Sequence, residues 1–346
     1  MELHAIGIDL GKTLFHLVGV DSQGNVLVRK RCSRTQLLAY TANVRVHRIG
    51  MEACSGSHFL GRALRDQGHD VRLMPAQYVA PYVKTNKSDY IDAEAIAEAV
   101  QRPTMRFVPI KTEEQLDLQA VHRVRERWVK RRTAVINQVR GLLLEHGLTM
   151  PKGRRHVEQT LPDIVEDANT PFSGSFRALL AQLQLELDQL NGRIGQIDTV
   201  IERVANENEV CHRLTAIPGI GPVTATALLA AIGNGSGFRR GRDLAAWVGM
   251  VPREYSTGGK QKLLGISKRG NPYLRRLFVQ GARVVLQYRT KQSPGLSCWL
   301  GQLMARTHQN VAVVALANKL LRMAWAVLCK NETYRNPPIV NELSPS

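Results

Sequence analysis

Ala5-Ile6-Gly7-Ile8-Asp9, followed directly by Leu10-Gly11-Lys12, is the stretch on which the fold turns. An apolar run that ends in a carboxylate beside a glycine-bearing turn predicts a strand that delivers Asp9 to its edge. Working outward, strands are expected at 3–9, 14–20 and 25–31, the third entered through the turn Asp21-Ser22-Gln23-Gly24-Asn25. Two hairpin connections then join three strands. A helix near 34–43, a strand at 44–51, a helix at 57–67, a short strand at 70–74 and a helix at 89–101 follow, separated by Gly, Pro or polar residues. The order βββαβαβα is that of the ribonuclease H fold.

Within that order four carboxylates occupy telling positions. Asp9 ends the first strand, and Glu52 closes the strand that contains Ile49-Gly50-Met51. Asp89 and Asp92, three residues apart, begin an Ala-rich helix and so project from one face. Each has a plainer reading. Asp9 fits a turn initiator or the phosphate loop of actin-like ATPases, although the second loop such an ATPase needs is missing. Asp89 and Asp92 fit helix capping and dipole pairing. It is their conjunction that points to a metal site, because hard carboxylate oxygens suit Mg²⁺ or Mn²⁺, and paired ions stabilise both oxygens of an in-line phosphoryl displacement.

Charge points the same way. Lys and Arg total 47 against 29 Asp and Glu, a formal net charge of +18 over 346 residues, and so predict a polyanionic partner, with nucleic acid first. No apolar run comes near the roughly 20 residues that span a bilayer, and no signal peptide is visible, so no membrane partner and a cytoplasmic, nucleoid-associated location are expected. Five scattered cysteines without Cys-x-x-Cys spacing support neither a disulfide framework nor a zinc site.

Residues 112–147 read as a strongly basic helix, in which Arg123, Arg125, Arg127, Lys130, Arg131, Arg132 and Arg140 surround Trp128 and Val135. A basic break at 151–155 and a polar, Pro-containing linker at 162–175 follow. Phe176, Leu180, Leu183, Leu187, Leu190, Ile194, Ile197, Ile201 and Val204 alternate spacings of four and three, a coiled-coil stripe. The same stripe suits self-association or packing against the chain's own helices. Ile217-Pro218-Gly219-Ile220-Gly221 resembles the turn of a helix-hairpin-helix, in which Gly219 and Gly221 would let backbone N–H groups approach a phosphate; a plain turn between helices is the alternative. Further helices are expected at 240–248, 271–288, 295–307 and 309–329, and a loose tail over the last fifteen or so residues.

The second constellation of chemical interest is Arg253-Glu254-Tyr255-Ser256-Thr257-Gly258-Gly259-Lys260, continuing to Gly265-Ile266-Ser267-Lys268-Arg269-Gly270-Asn271 and Arg275-Arg276. Its glycines allow close approach to a phosphate that Lys260, Lys262, Lys268, Arg269, Arg275 and Arg276 would neutralise. Ser256 is a candidate nucleophile, provided a base or metal takes its proton. Hydrogen bonding to phosphate is its other role.

Together Gly7-Ile8-Asp9, Met51-Glu52-Ala53, Lys87-Ser88-Asp89-Tyr90-Ile91-Asp92-Ala93, Ile217-Pro218-Gly219-Ile220-Gly221 and Ser256-Thr257-Gly258-Gly259-Lys260 resemble the DEDD-type insertion-sequence transposases related to the pilin-gene invertase, RNA-guided serine-dependent DNA recombinases. The resemblance covers nearly the whole chain. It implies an α/β plus α architecture: a RuvC-like DEDD domain with a basic helical extension at 1–150, a linker and coiled coil at 151–210, a mostly helical transposase domain with the nucleophilic serine at 211–333, and a flexible tail at 334–346. It implies Mg²⁺ held by Asp9, Glu52, Asp89 and Asp92, and Ser256 attacking a phosphodiester to form a phosphoserine link on the way to a Holliday-junction-like state. Its implied partners are DNA, an element-encoded guide RNA and further copies of the chain, as a dimer or tetramer whose composite sites join one protomer's acids to another's serine. Here Thr257 stands where parts of the family have a glycine after the serine, so Thr257 and, more remotely, Ser267 compete with Ser256. A metal-dependent Holliday-junction resolvase that activates water, and a purely architectural nucleic-acid-binding protein, are the competing functions.

Overall fold

The computed structural model describes residues 2–83 and 88–336. Lys87 of the acidic-helix motif, and the expected tail from residue 337 onward, lie outside the described residues. The described chain forms two compact units, 1–114 and 115–346.

In the first unit, β1 (Leu3–Leu10), β2 (Leu14–Val20) and β3 (Val26–Ser33) are joined by hairpins, and α1 (Arg34–Ala42), β4 (Val46–Glu52), α2 (Ser57–Asp66) and β5 (Val71–Met74) follow. A short helix, α3 (Ala76–Val79), and a 3-10 turn lead to α4 (Asp89–Ala99). The strands make one mixed sheet in the order β3-β2-β1-β4-β5, with β1, β2 and β3 antiparallel and β4 and β5 parallel to β1. Strand alternation divides the side chains between two cores. Ile6, Ile8, Leu17, Ile49, Met51 and Leu73 face Leu37 of α1 and Leu60 and Leu64 of α2. Ala5, Val18, Val20 and Met74 face Ala93, Ile96, Ala97 and Val100 at and beyond α4.

Two glycines set how near α4 comes. A Cβ on Gly7 would lie 2.0 Å from the Ala93 carbonyl oxygen, and one on Gly50 would lie 2.8 Å from Val100. The helix therefore rests directly on the backbone of β1 and β4, and its N-terminal turn is brought over their C-terminal ends.

The second unit is helical. It comprises α5 (Glu113–Glu145, shared with the end of the first unit), α6 (Arg154–Glu166), α7 (Gly174–Glu207), α8 (Glu209–Thr215), α9 (Pro222–Ile232), α10 (Gly241–Val248), α11 (Pro272–Gln287), α12 (Pro294–Arg306) and α13 (Gln309–Lys330). A hairpin of β6 (Pro252–Glu254) and β7 (Leu263–Ile266) interrupts them. The linker expected at 162–175 is shorter, because α6 continues through Pro162 to Glu166. Proline costs a helix one hydrogen bond, but burial of Val157 and Leu161 holds this one together. The stripe on α7 is spent inside the chain: Leu180, Leu187 and Leu190 pack with Val135, Ile136, Val139 and Leu143 of α5 and with α6. Of the two uses open to that periodicity, this is packing against the chain's own helices.

A second core surrounds Phe278 and α13. Contrary to the sequence expectation, α13 is long and apolar enough to meet the length and composition of a membrane span. Half of that apolar window is buried, and Ala312, Leu316, Ala317, Leu320, Leu321 and Ala324 are all completely covered, the helix packing against α8, α10, α11 and α12. A helix surrounded by others is apolar around much of its circumference, which accounts for the composition.

Candidate active site

The first site follows from strand register. Asp9 pairs with His16 across β1 and β2, and Ile8 pairs with Met51 across β1 and β4, so Asp9 and Glu52 are the next residues in line. Alternation turns Asp9, His16 and Glu52 to the face that α4 covers. From above, α4 contributes Asp89 and Asp92 in its first turn. One oxygen each of Asp9 and Asp89 and one ring nitrogen of His16 all lie within 4.8 Å of one another. His16 Nδ1 is 3.4 Å from Asp89 Oδ2, and the His16 ring meets Tyr90 edge-on.

Asp92 and Asp89 act on Asp9 electrostatically, and Glu52 acts with Asp9 on the neighbouring Cys54. Burial, then the negative charges of Asp92 and Asp89, push the Asp9 carboxyl above its usual range, and His16 and the Leu10 N–H only partly offset them. The Cys54 thiol is likewise pushed up, by desolvation and then by Glu52 and Asp9. Ser88, the N-cap of α4, makes no side-chain capping hydrogen bond, while Asp89 and Asp92 both stand in the first turn, where the helix dipole favours them with or without a cation. Carboxylates that raise one another's proton affinity are what a divalent cation relieves. Sequence reasoning missed His16. The signal was a polar residue in the otherwise apolar strand Leu14-Phe15-His16-Leu17-Val18, at the height of Asp9.

The second site, in the helical unit, is the tip of the β6–β7 hairpin. The Tyr255 N–H donates to the Lys262 carbonyl and the Lys260 N–H to that of Thr257, closing a turn in which Gly258 and Gly259 have φ of 56° and 77°. Successive positive φ values make this a glycine-dependent turn. Glu254, the last residue of β6, and Ser256 just beyond it are joined side chain to side chain, the Ser256 hydroxyl donating to Glu254 Oε1 at 2.6 Å. Gln261 Nε2 donates to the same oxygen at 3.3 Å. Among the described residues, neither the Thr257 nor the Ser267 hydroxyl has a hydrogen-bond partner in this tip.

The cations named from the sequence fall into two groups. Arg131 is bound by Glu186 at 2.7 Å, Arg132 donates to Asn191 at 3.0 Å, and Lys130 and Arg276 share Glu126 at 2.9 and 2.8 Å. Arg275 donates to the carbonyls of Val248 and Arg269, fastening the chain before α11. Arg123, Arg127, Lys260, Lys268 and Arg269 make no ion pair among the described residues. Gly219 is not open to a ligand on its α-carbon side: a Cβ there would lie 2.8 Å from the Gly281 carbonyl oxygen of α11. Gly221 is exposed at the N-cap of α9.

A cleft of about 460 Å³ in the same unit runs past Gln119, His122, Arg123, Trp247 and Tyr273. At its wall the His122 Nε2–H donates to Thr226 Oγ1 at 3.0 Å, since the Thr226 hydroxyl proton is given to the Pro222 carbonyl. The Tyr273 hydroxyl then donates to His122 Nδ1, also at 3.0 Å. Burial, then Arg125, lowers the His122 pKa to about 4 and keeps the ring neutral.

Comparison with known proteins identifies the class. Residues 6–147 match a family model described as a transposase, and residues 211–295 match one described as transposase IS116/IS110/IS902 family. The chain is 43% identical over 336 residues to a probable family 20 transposase of Pseudomonas aeruginosa, covering 97% of this chain and 99% of that protein. It is 42% identical over 334 residues to the transposase for insertion sequence element IS1111A of Coxiella burnetii, covering 96% and 92%. The pilin gene-inverting protein of Moraxella bovis is more distant, 32% identical over 150 residues, 41% of this chain and 45% of that one. The chain belongs to the IS116/IS110/IS902 family of insertion-sequence transposases, enzymes that act on DNA.

Proposed function

We propose that this transposase is an RNA-guided DNA recombinase that cleaves and exchanges strands with Mg²⁺ and through a phosphoserine link at Ser256. The observation that carries the reading is the convergence of Asp9, Asp89 and His16 ligand atoms within 4.8 Å, where Asp92 adds its charge. The sheet order and the helix laid over Asp9 and Glu52 support a RuvC-like domain of the ribonuclease H fold. Carboxylate oxygens fit Mg²⁺, and the His16 nitrogen makes Mn²⁺ acceptable as well. A divalent cation held there supplies positive charge to the oxygens of the scissile phosphate.

The chain's own groups account for the rest. Ser256, exposed at a hairpin tip, reaches a phosphate without displacing any packed side chain. Its hydrogen bond to Glu254 favours it over Thr257, whose hydroxyl has no hydrogen-bond partner among the described residues. Lys260 in the same tip, Lys268 and Arg269 at the base of the hairpin, and Arg123 and Arg127 on α5 contact nucleic-acid phosphates. In the assembly on DNA, the acids of one protomer serve the serine of another, and exchange of the first strands leaves a Holliday-junction-like state. A structured RNA from the element selects donor and target by base pairing, with the protein reading RNA shape and backbone.

The test is denaturing electrophoresis of full-length protein, with its co-purifying nucleic acid, on DNA carrying the element's joined ends. A Mg²⁺-dependent covalent adduct, lost in Ser256→Ala and in Asp9→Asn, together with a discrete element-derived RNA, is the expected result. Cleavage that depends on Asp9 with no adduct identifies the water-activating resolvase instead.

A further inference from the structure

We propose that Glu254 is the base that takes the Ser256 proton as the serine attacks DNA, an inference that rests on the reading of Ser256 as nucleophile given above. A serine hydroxyl is a weak nucleophile until its proton is removed, and the acceptor must already be within hydrogen-bond reach. Glu254 Oε1 lies 2.6 Å from Ser256 Oγ, the length of a charge-assisted O–H···O bond. The bond is built by the backbone. Residues 254 and 256 flank Tyr255 at the end of β6, and the Tyr255 N–H is tied to Lys262 across the hairpin.

A third group completes the arrangement. Gln261 Nε2 donates to the same Glu254 oxygen at 3.3 Å, so nucleophile, base and orienting group follow one another at hydrogen-bond distances. A purely structural role for the pair explains less. The strands of this hairpin are exposed from Pro252 to Gly265, and in water such a bond contributes little to holding a turn that Gly258 and Gly259 already define. Arg253, Lys260 and Lys262 in the same hairpin offset the repulsion that a carboxylate would present to DNA.

The proton balance closes in both directions. In cleavage, the Ser256 Oγ–phosphorus bond forms, the bond from phosphorus to the 3′ oxygen breaks, that oxygen takes a proton from solvent, and the serine proton passes to Glu254. In rejoining, an incoming 3′-hydroxyl gives its proton to solvent and bonds to phosphorus. Ser256 Oγ then leaves and recovers its proton from Glu254.

The experiment measures the rate of covalent adduct formation by full-length protein on the element-end DNA with Mg²⁺, alongside DNA affinity and the pH profile. Glu254→Gln keeps an acceptor for the serine hydroxyl but removes the basicity. It should slow adduct formation by about 10²–10⁴-fold with DNA affinity no weaker than that of the wild type. Its residual rate should climb with pH, where the wild-type rate levels off, and Glu254→Asp should recover part of the loss. Wild-type rates in Glu254→Gln, or a loss matched by weaker DNA binding in both variants, overturn the proposal while leaving Ser256 as nucleophile. Persistence of the adduct in Ser256→Ala overturns the serine reading and this proposal with it.

Discussion

Asp9 and His16 stand opposite each other across two antiparallel strands, and the face they share is the one α4 covers. An acid set there beside Asp89 and Asp92 is held above its ordinary proton affinity.

That shift sets a pH dependence. Between the ordinary aspartate value of 3.8 and the raised folded value, the folded protein binds more protons than the unfolded chain. Metal-free stability therefore falls as pH rises through that window and is flat above it. Asp9→Asn should remove this slope. It should also remove the Mg²⁺-induced rise in Tm, which is worth about 2.7 kcal/mol at a hundredfold excess of Mg²⁺ over Kd. Thermal unfolding across pH 3–7, with and without Mg²⁺, measures both.

Gly7→Ala tests the seating of α4. The added methyl would lie 2.0 Å from the Ala93 oxygen and 2.4 Å from the Ala97 nitrogen, so the helix must lift. Such overpacking costs about 1–3 kcal/mol and should carry Asp89 and Asp92 away from Asp9. The variant should unfold at lower temperature and lose the Mg²⁺ response; retention of that response would show that the helix need not be so close.

His122 gives a slope of the opposite sign. Its folded pKa of about 4 lies below the 6.5 of a free histidine, so the unfolded chain takes up its proton first as pH falls. Stability is full above pH 6.5 and declines to pH 4, by on the order of 3 kcal/mol in total. His122→Leu should flatten that part of the profile in chemical denaturation. It should also lower stability at neutral pH, because Tyr273 loses its acceptor.

Leu187→Ala tests where the α7 stripe is used. Leu187 is 2% exposed and packs within the cluster formed by α5, α6 and α7. Truncation should cost about 2–5 kcal/mol. The loss in Tm should be the same at low and high protein concentration; a loss that shrinks as concentration rises would mean that the stripe also binds a second copy.

Much of this was legible in the sequence, for identifiable reasons. Apolar alternation and the turn at Asp21–Asn25 place the first three strands to within two residues, and an i, i+3 acid pair at a helix start needs no tertiary information. What escaped depends on distant partners. His16 acquires meaning only from its register with Asp9. The arginines of α5 read as a uniform basic face, yet Arg131 and Arg132 find Glu186 and Asn191 more than fifty residues downstream. Gly219 reads as a phosphate turn or as a plain turn between helices, and the close contact its α-carbon makes with Gly281 of α11 was not visible from the turn alone. The apolar length of α13 reads differently again once four helices surround it.

The β6–β7 hairpin bears on how such a protein diversifies. Its strands bury almost nothing, so substitutions from Arg253 to Gly265, outside the turn glycines Gly258 and Gly259, carry little thermodynamic penalty. A lineage can therefore explore this segment without risking the fold, and selection there acts on chemistry alone. Where related chains vary in stability, the differences should map to the helical core; where they vary in strand-transfer rate at equal stability, this exposed ribbon is where to look.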